Sequence, residues 1–183
     1  MSYRLNMSKA IQAAGVLLRE TPSRRMTKLR LLKLLYIADR ESLKNTGRPI
    51  TGDRVVAMSY GPVLSELYDC IKGTACHLAS WQEFFRSEDL DVCMEKSPTT
   101  DDLCRYEIET LQRVSRERRD KGEWEIVEET HKFDEWKDPG GTSRPISFKD
   151  ILKAVGWKDD QAKKILAAAE ADAAVDSLFE RDF

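Results

Sequence analysis

The sequence predicts a mainly α protein: a single-domain helical bundle with at most a short β element near residues 90–96. Three observations carry this. Leu31, Leu34, Leu35 and Ala38 recur at the i, i+3, i+4, i+7 spacing of one helix face. Further apolar faces of the same period recur around residues 11–18, 103–114 and 162–179. Alternation of period two is confined to Leu90–Glu95, apolar at 90, 92 and 94.

The first helix is predicted over 6–19, with Ser8 as its cap and Ile11, Ala14, Val16 and Leu18 as its apolar side. Thr21-Pro22-Ser23 breaks it. The second helix, about Thr27 to Lys44, is the strongest element. Thr27 is its expected N-cap, Leu32, Tyr36 and Leu43 widen its stripe to that of a central helix, and Gly47 followed by Pro49 ends it.

Asp53 is read as the cap of a short helix over 55–58, although Val55-Val56 leaves a strand open. Tyr60-Gly61-Pro62 reads as a turn, with Pro62 opening a helix that runs to Ile71 and stops at Gly73. Trp81, Phe84 and Phe85 form an aromatic cluster expected in the core. Thr100 is the expected cap of a helix over 101–121, and Gly122 separates it from a short helix over 123–132. Pro139 to Pro145 is a loop and the expected mobile segment. Ser147 with Asp150 makes a capping-box start for Phe148–Val155. A last, alanine-rich helix runs from Asp159 or Asp160 to about Glu180. It follows the Gly156-Trp157 stop, and its narrow stripe ending in Leu178-Phe179 suits packing on its own domain or on a partner. The expected division is a helical domain over 1–157 and a C-terminal helical extension over 158–183.

Composition narrows the function classes. A chain of 183 residues buries roughly 70% of the surface it exposes when unfolded, so no disulfide or metal staple is required. Thirty Lys and Arg against 32 Asp and Glu leave a net charge of -2, which argues against whole-molecule attraction to nucleic acid or anionic membranes. No apolar run approaches the length of a membrane span, and no signal peptide is evident, so the expected location is the cytoplasm. There Cys70, Cys76, Cys93 and Cys104 are expected as free thiols.

The motif search favours binding over catalysis. Cys70, Cys76 and His77 lack the paired tight spacing of a zinc site, so neither metal nor cofactor is expected. No nucleophile elbow, cysteine signature or phosphate-binding loop is present. Glu128 and Glu129 are adjacent on a helix and diverge. Two rival readings stay open. A DNA-binding regulator would use the basic cluster Arg24, Arg25, Lys28, Arg30 and Lys33, whose plainer reading is a solvated helix face. A hydrolase would pair a cysteine with His131.

The run Met26-Thr27-Lys28-Leu29-Arg30-Leu31-Leu32-Lys33-Leu34-Leu35-Tyr36-Ile37-Ala38 resembles the opening helix of the Panacea domain, the SocA-like antitoxin family also known as phage-associated proteins. That family's pattern is Lys-Leu-x-Lys-Leu-Leu-Tyr. Here Lys28-Leu29 stands one residue further out, or Leu31 takes the first leucine's place. Asp53 to Ala57, Tyr60-Gly61-Pro62-Val63 and Glu66-Leu67-Tyr68 resemble the family's second stretch. Thr130-His131 with Trp136 resemble its Thr-His and Pro-Trp, with Glu135 in place of the proline, and Ile146–Ile151 resembles its closing helix. Together these cover about residues 8–157. The resemblance implies a non-enzymatic antitoxin whose partner is a cognate protein toxin, neutralised by direct contact and, in SocA-like members, handed to an ATP-dependent protease. It points to Tyr60, Gly61, Pro62, His131 and Trp136 as partner-contact candidates. Their plain readings are a turn, a buried imidazole and core aromatics. Leu178 and Phe179 join the candidates from the tail helix.

Overall fold

Helix α2 (Lys28–Thr46) is the axis of the computed structural model, which describes residues 3–179 and the side chains of 3–175. Leu31 and Leu34 are fully buried and Leu35 nearly so, as the stripe predicts. Thr27 caps the helix by accepting from the Arg30 N–H at 3.3 Å, and Gly47 ends it at φ +73°. Around it pack α1 (Met7–Arg19), α5 (Arg105–Glu117), α6 (Glu123–His131) and α7 (Phe148–Ala154). The cap of α1 is Asn6 rather than Ser8: the Asn6 carboxamide accepts from Lys9 N–H at 2.9 Å. Helix α5 starts at Arg105, so Thr100 is not its cap. Glu107 instead reaches back to the Cys104 N–H at 2.8 Å.

The expectation of a bundle with one β element is corrected by two three-stranded sheets, although the described chain remains mainly helical. The first has the order β1-β5-β4, from β1 (Arg25–Thr27), β4 (Phe85–Glu88) and β5 (Asp91–Met94). Its β5 is the strand predicted near 90–96. The second has the order β3-β2-β6, from β2 (Val55–Met58), β3 (Gly61–Leu64) and β6 (Arg144–Ile146). Residues 55–58 are thus a strand and not a helix, and Pro62 lies in β3. The hairpin is antiparallel with Val55 opposite Leu64 and Met58 opposite Gly61. The next helix, α3 (Ser65–Lys72), begins three residues after Pro62. Asp53 does act as a cap, but on α3: its carboxylate accepts from the Glu66 and Leu67 N–H groups at 3.2 and 3.0 Å. Short strands escape a period-two reading when both faces are covered, and β3 is buried at all four positions. The loop over 139–145 ends in β6, which pairs with β2.

Trp81, on α4 (Leu78–Gln82), and Phe85 are core residues, 1% exposed each. Ser147 caps α7 as predicted. Helix α8 (Asp159–Phe179) does not leave the body at its start. Ala162 is fully buried, Ile165 lies against Gly47, and only over residues 167–175 are the described side chains mainly exposed. The side chains of Leu178 and Phe179 lie outside the described residues. Among the described residues no helix is long and apolar enough to cross a membrane.

Candidate functional site

Five of the candidate residues, Tyr60, Gly61, Pro62, His131 and Trp136, meet at the turn between β2 and β3. Gly61 has φ +92°, a conformation that L side chains rarely adopt, and it allows the hairpin to lie directly on α2 and α6. A Cβ at this position would stand 2.5 Å from Thr130 Oγ1, 2.8 Å from Lys33 Nζ and 3.3 Å from His131 Cδ2. Lys33 is fully buried and its ammonium donates to the Pro62 carbonyl at 2.8 Å. Burial pushes its pKa down to about 7. Thr130 is also fully buried, and its hydroxyl donates to the Val127 carbonyl at 2.8 Å.

His131 stacks on Trp136 with ring centroids 4.0 Å apart and planes 9° from parallel. The Trp136 indole N–H donates to the Met58 carbonyl at 3.1 Å, which ties the β2 end to the segment after α6. Burial of the imidazole, then the nearby Lys33 charge, lower the His131 pKa and favour its neutral form. Its Nε2 is buried without a hydrogen-bond partner among the described residues. Gly61 and Pro62 are buried too. They hold the turn, and His131 and Trp136 brace it from the half-buried layer beneath.

What the brace presents is Tyr60. It is 58% exposed and meets Trp124, 60% exposed, edge to face at 5.3 Å and 75°. In the sequence Trp124 looks like an ordinary position in the first turn of a charged helix. Leu90, 78% exposed, belongs to the same end of α2. Its carbonyl accepts from Lys28 N–H at 2.7 Å, while Thr27 Oγ1 donates to Glu123, the neighbour of Trp124, at 3.2 Å. Tyr60, Trp124 and Leu90 thus supply three large exposed apolar side chains near the start of the central helix.

The basic cluster does not form one face. Lys33 is internal, which corrects its placement on the solvated side. Arg25 pairs with Asp91 and Glu88, and Arg30 donates to the Arg118, Arg119 and Lys121 carbonyls at the end of α5. Arg24 is exposed and Lys28 half-buried. With Lys33 internal, Arg25 paired and Arg30 turned to the end of α5, the five cations do not present one surface to a phosphate backbone. Cysteine–histidine chemistry fares no better. All four cysteines are free, and burial pushes the Cys70 thiol up to about 11, away from the thiolate a nucleophile needs. Among the described residues no group of three or more His, Cys, Asp and Glu is placed to hold a metal.

The family model described as "Antitoxin SocA-like, Panacea domain" matches residues 31–137. The chain belongs to this family. The Panacea match takes in Lys33, the Tyr60-Gly61-Pro62 turn, Trp124, Thr130, His131 and Trp136, so the whole braced turn lies inside it. Curated proteins and solved structures gave no match. Glu135, which the resemblance sets against a proline, has its own role. Its side chain is fully buried and accepts from Tyr36 Oη at 2.6 Å and Arg40 Nε at 2.7 Å, with the Arg40 guanidinium 3.9 Å from the Phe133 ring centre. A buried, charge-assisted carboxylate clamps this segment to α2, a task the proline ring cannot perform.

Proposed function

We propose that this Panacea protein is an antitoxin that neutralises a cognate protein toxin by direct contact, acting in the cytoplasm as a binding protein and not as an enzyme. The observation that carries the reading is the exposed Tyr60–Trp124 pair held on a rigid turn inside the family's matched region. Tyr and Trp are the side chains that most often dominate protein interfaces, because they bury large areas for little lost rotamer freedom. Leu90, bonded to the start of α2, is a further exposed apolar side chain. The hydrogen bonds and stacking beneath the turn fix the pair before binding, which lowers the ordering cost of association. Tyr60, Trp124 and Leu90 are accordingly proposed as toxin contacts, with Trp136 and His131 as their support. Delivery of the bound toxin to an ATP-dependent protease is the extension that the family resemblance suggests.

The test is co-expression with the product of the adjoining gene. Growth should stop when that product is made alone and resume when this protein is made with it. A toxin level that falls in the presence of this protein supports delivery for proteolysis, and an unchanged level with restored growth supports blocking alone. A neighbour that is harmless by itself, or that stays toxic in the presence of this protein, would overturn the reading.

A further inference from the structure

We infer that the outer edge of β4 is a second binding site, which takes an extended acidic peptide segment as a fourth strand of the β1-β5-β4 sheet. The bonding pattern of that sheet fixes which groups face outward. On β5, Met94 N–H donates to the Arg24 carbonyl, and the Leu90 carbonyl accepts from Lys28 N–H, so residues 90, 92 and 94 turn toward β1. Asp91 and Cys93 therefore turn toward β4, where they oppose Glu88 and Arg86. The backbone groups of Phe85 and Ser87 are left facing away from the sheet. Among the described residues they have no backbone partner on that side. An unpaired edge is the feature that strand addition uses.

The edge is not bare surface. Phe85, Arg86 and Ser87 together line a cavity of about 620 Å³. Consecutive strand residues point to opposite faces, so their joint presence places the cavity along the edge. Its opposite wall is the end of α3 and the end of α4, with Ile71 and Trp81 supplying apolar surface. Trp81 is 1% exposed, and its indole N–H has no acceptor among the described residues.

Charge at the rim selects the occupant. Glu83 is paired with Lys96 and Glu95 with Arg86. Lys28 and Lys72 also line the cavity and have no carboxylate partner among the described residues. An acidic strand would pair its main chain with Phe85 and Ser87 and set its carboxylates against these lysines. This site meets the start of α2 through Lys28, whose N–H bonds the Leu90 carbonyl, but neither Tyr60 nor Trp124 lines it, and its existence does not depend on the toxin reading.

The test is an amide NMR titration of the full chain with acetyl-Val-Glu-Val-Glu-Val-amide and with the same peptide carrying Lys for Glu. The acidic peptide should move the Trp81 indole and the Phe85 and Ser87 amide resonances in a saturable way. The basic peptide should bind at least tenfold more weakly. Lys28→Glu with Lys72→Glu, both exposed or half-buried changes that leave the core intact, should weaken the acidic peptide by at least tenfold, whereas Tyr60→Ala should leave its affinity unchanged. Absence of binding at millimolar peptide, shifts that map elsewhere, equal affinity for the two peptides, or indifference to the lysine changes would each overturn the inference.

Discussion

Replacing Gly61 by Ala tests the packing beneath the turn most sharply. Two costs add. The backbone stands at φ +92°, where an L side chain is strained by about 1–2 kcal/mol. The new methyl would also lie 2.5 Å from Thr130 Oγ1 and 2.8 Å from Lys33 Nζ. Neither neighbour can easily retreat, since Thr130 and Lys33 are both fully buried and hydrogen-bonded. Overpacking of this kind costs about 1–3 kcal/mol more. Gly156 supplies the control: its φ is +105°, but nothing lies within 4 Å of a Cβ there. Gly156→Ala should therefore carry the backbone cost alone. Urea unfolding of the two variants, with m unchanged from the parent, should show Gly61→Ala lower in stability than Gly156→Ala by about 1–3 kcal/mol. If the two losses are equal, Lys33 and Thr130 do not converge on Gly61 as described.

Two further outcomes follow from the burial of particular groups. Lys33 has a folded pKa of about 7 against about 10.4 in an unfolded chain, so between these values the unfolded state binds the extra proton and stability rises with pH. Below about pH 7 the protein carries the full cost of the buried charge. Lys33→Met removes that slope: the gain in unfolding free energy between pH 7 and 10 should be larger in the parent by on the order of 3 kcal/mol, and equal slopes would refute the assignment. For α8, deletion of residues 168–183 removes, among the described side chains, mainly exposed ones and the exposed Arg48–Asp172 pair, and should cost under about 1 kcal/mol. Deletion of 159–183 also removes Ala162, Ile165 and Leu166 and should cost about 2–4 kcal/mol more. Equal thermal shifts for the two truncations would contradict the packing of the first turns.

The long helices are legible because each carries its own signal, whereas the five-residue α4 is too short to show one. The α2 stripe, the Thr27 cap and the Gly47 stop are all local, and all three are found where they were read. The sheets were not legible, for a physical reason. β3 is buried at every position, and β1 and β6 have three residues each, too few for a period to register. Their pairing is non-local: β6 joins β2 across some ninety residues of chain, and nothing near Arg144 announces it. Asp53 has the residue type of a cap, but the helix it caps lies beyond the β2–β3 hairpin, which local sequence does not announce. At the candidate site, Tyr60, Gly61, Pro62, His131 and Trp136 were reached through resemblance, and the structure divides them into a displayed ring and its internal supports. Lys33 was misplaced because a lysine beside a leucine stripe is ordinarily solvated. Only the arrival of the Pro62 carbonyl from another element makes its burial tolerable. Trp124 gave no sequence signal of its own. It gains meaning from the edge-to-face contact with Tyr60.

The central claim is that the displayed aromatic pair binds a toxin. Its most direct measurement is calorimetric titration of the purified protein with the purified product of the adjoining gene, for the parent and for Tyr60→Ala with Trp124→Ala. Both side chains are more than half exposed, so the double variant should unfold within about 0.5 kcal/mol of the parent. If each ring is a hot spot of about 2 kcal/mol, affinity should fall by at least about 100-fold. A double variant that is equally stable and binds the toxin as tightly as the parent would contradict the account.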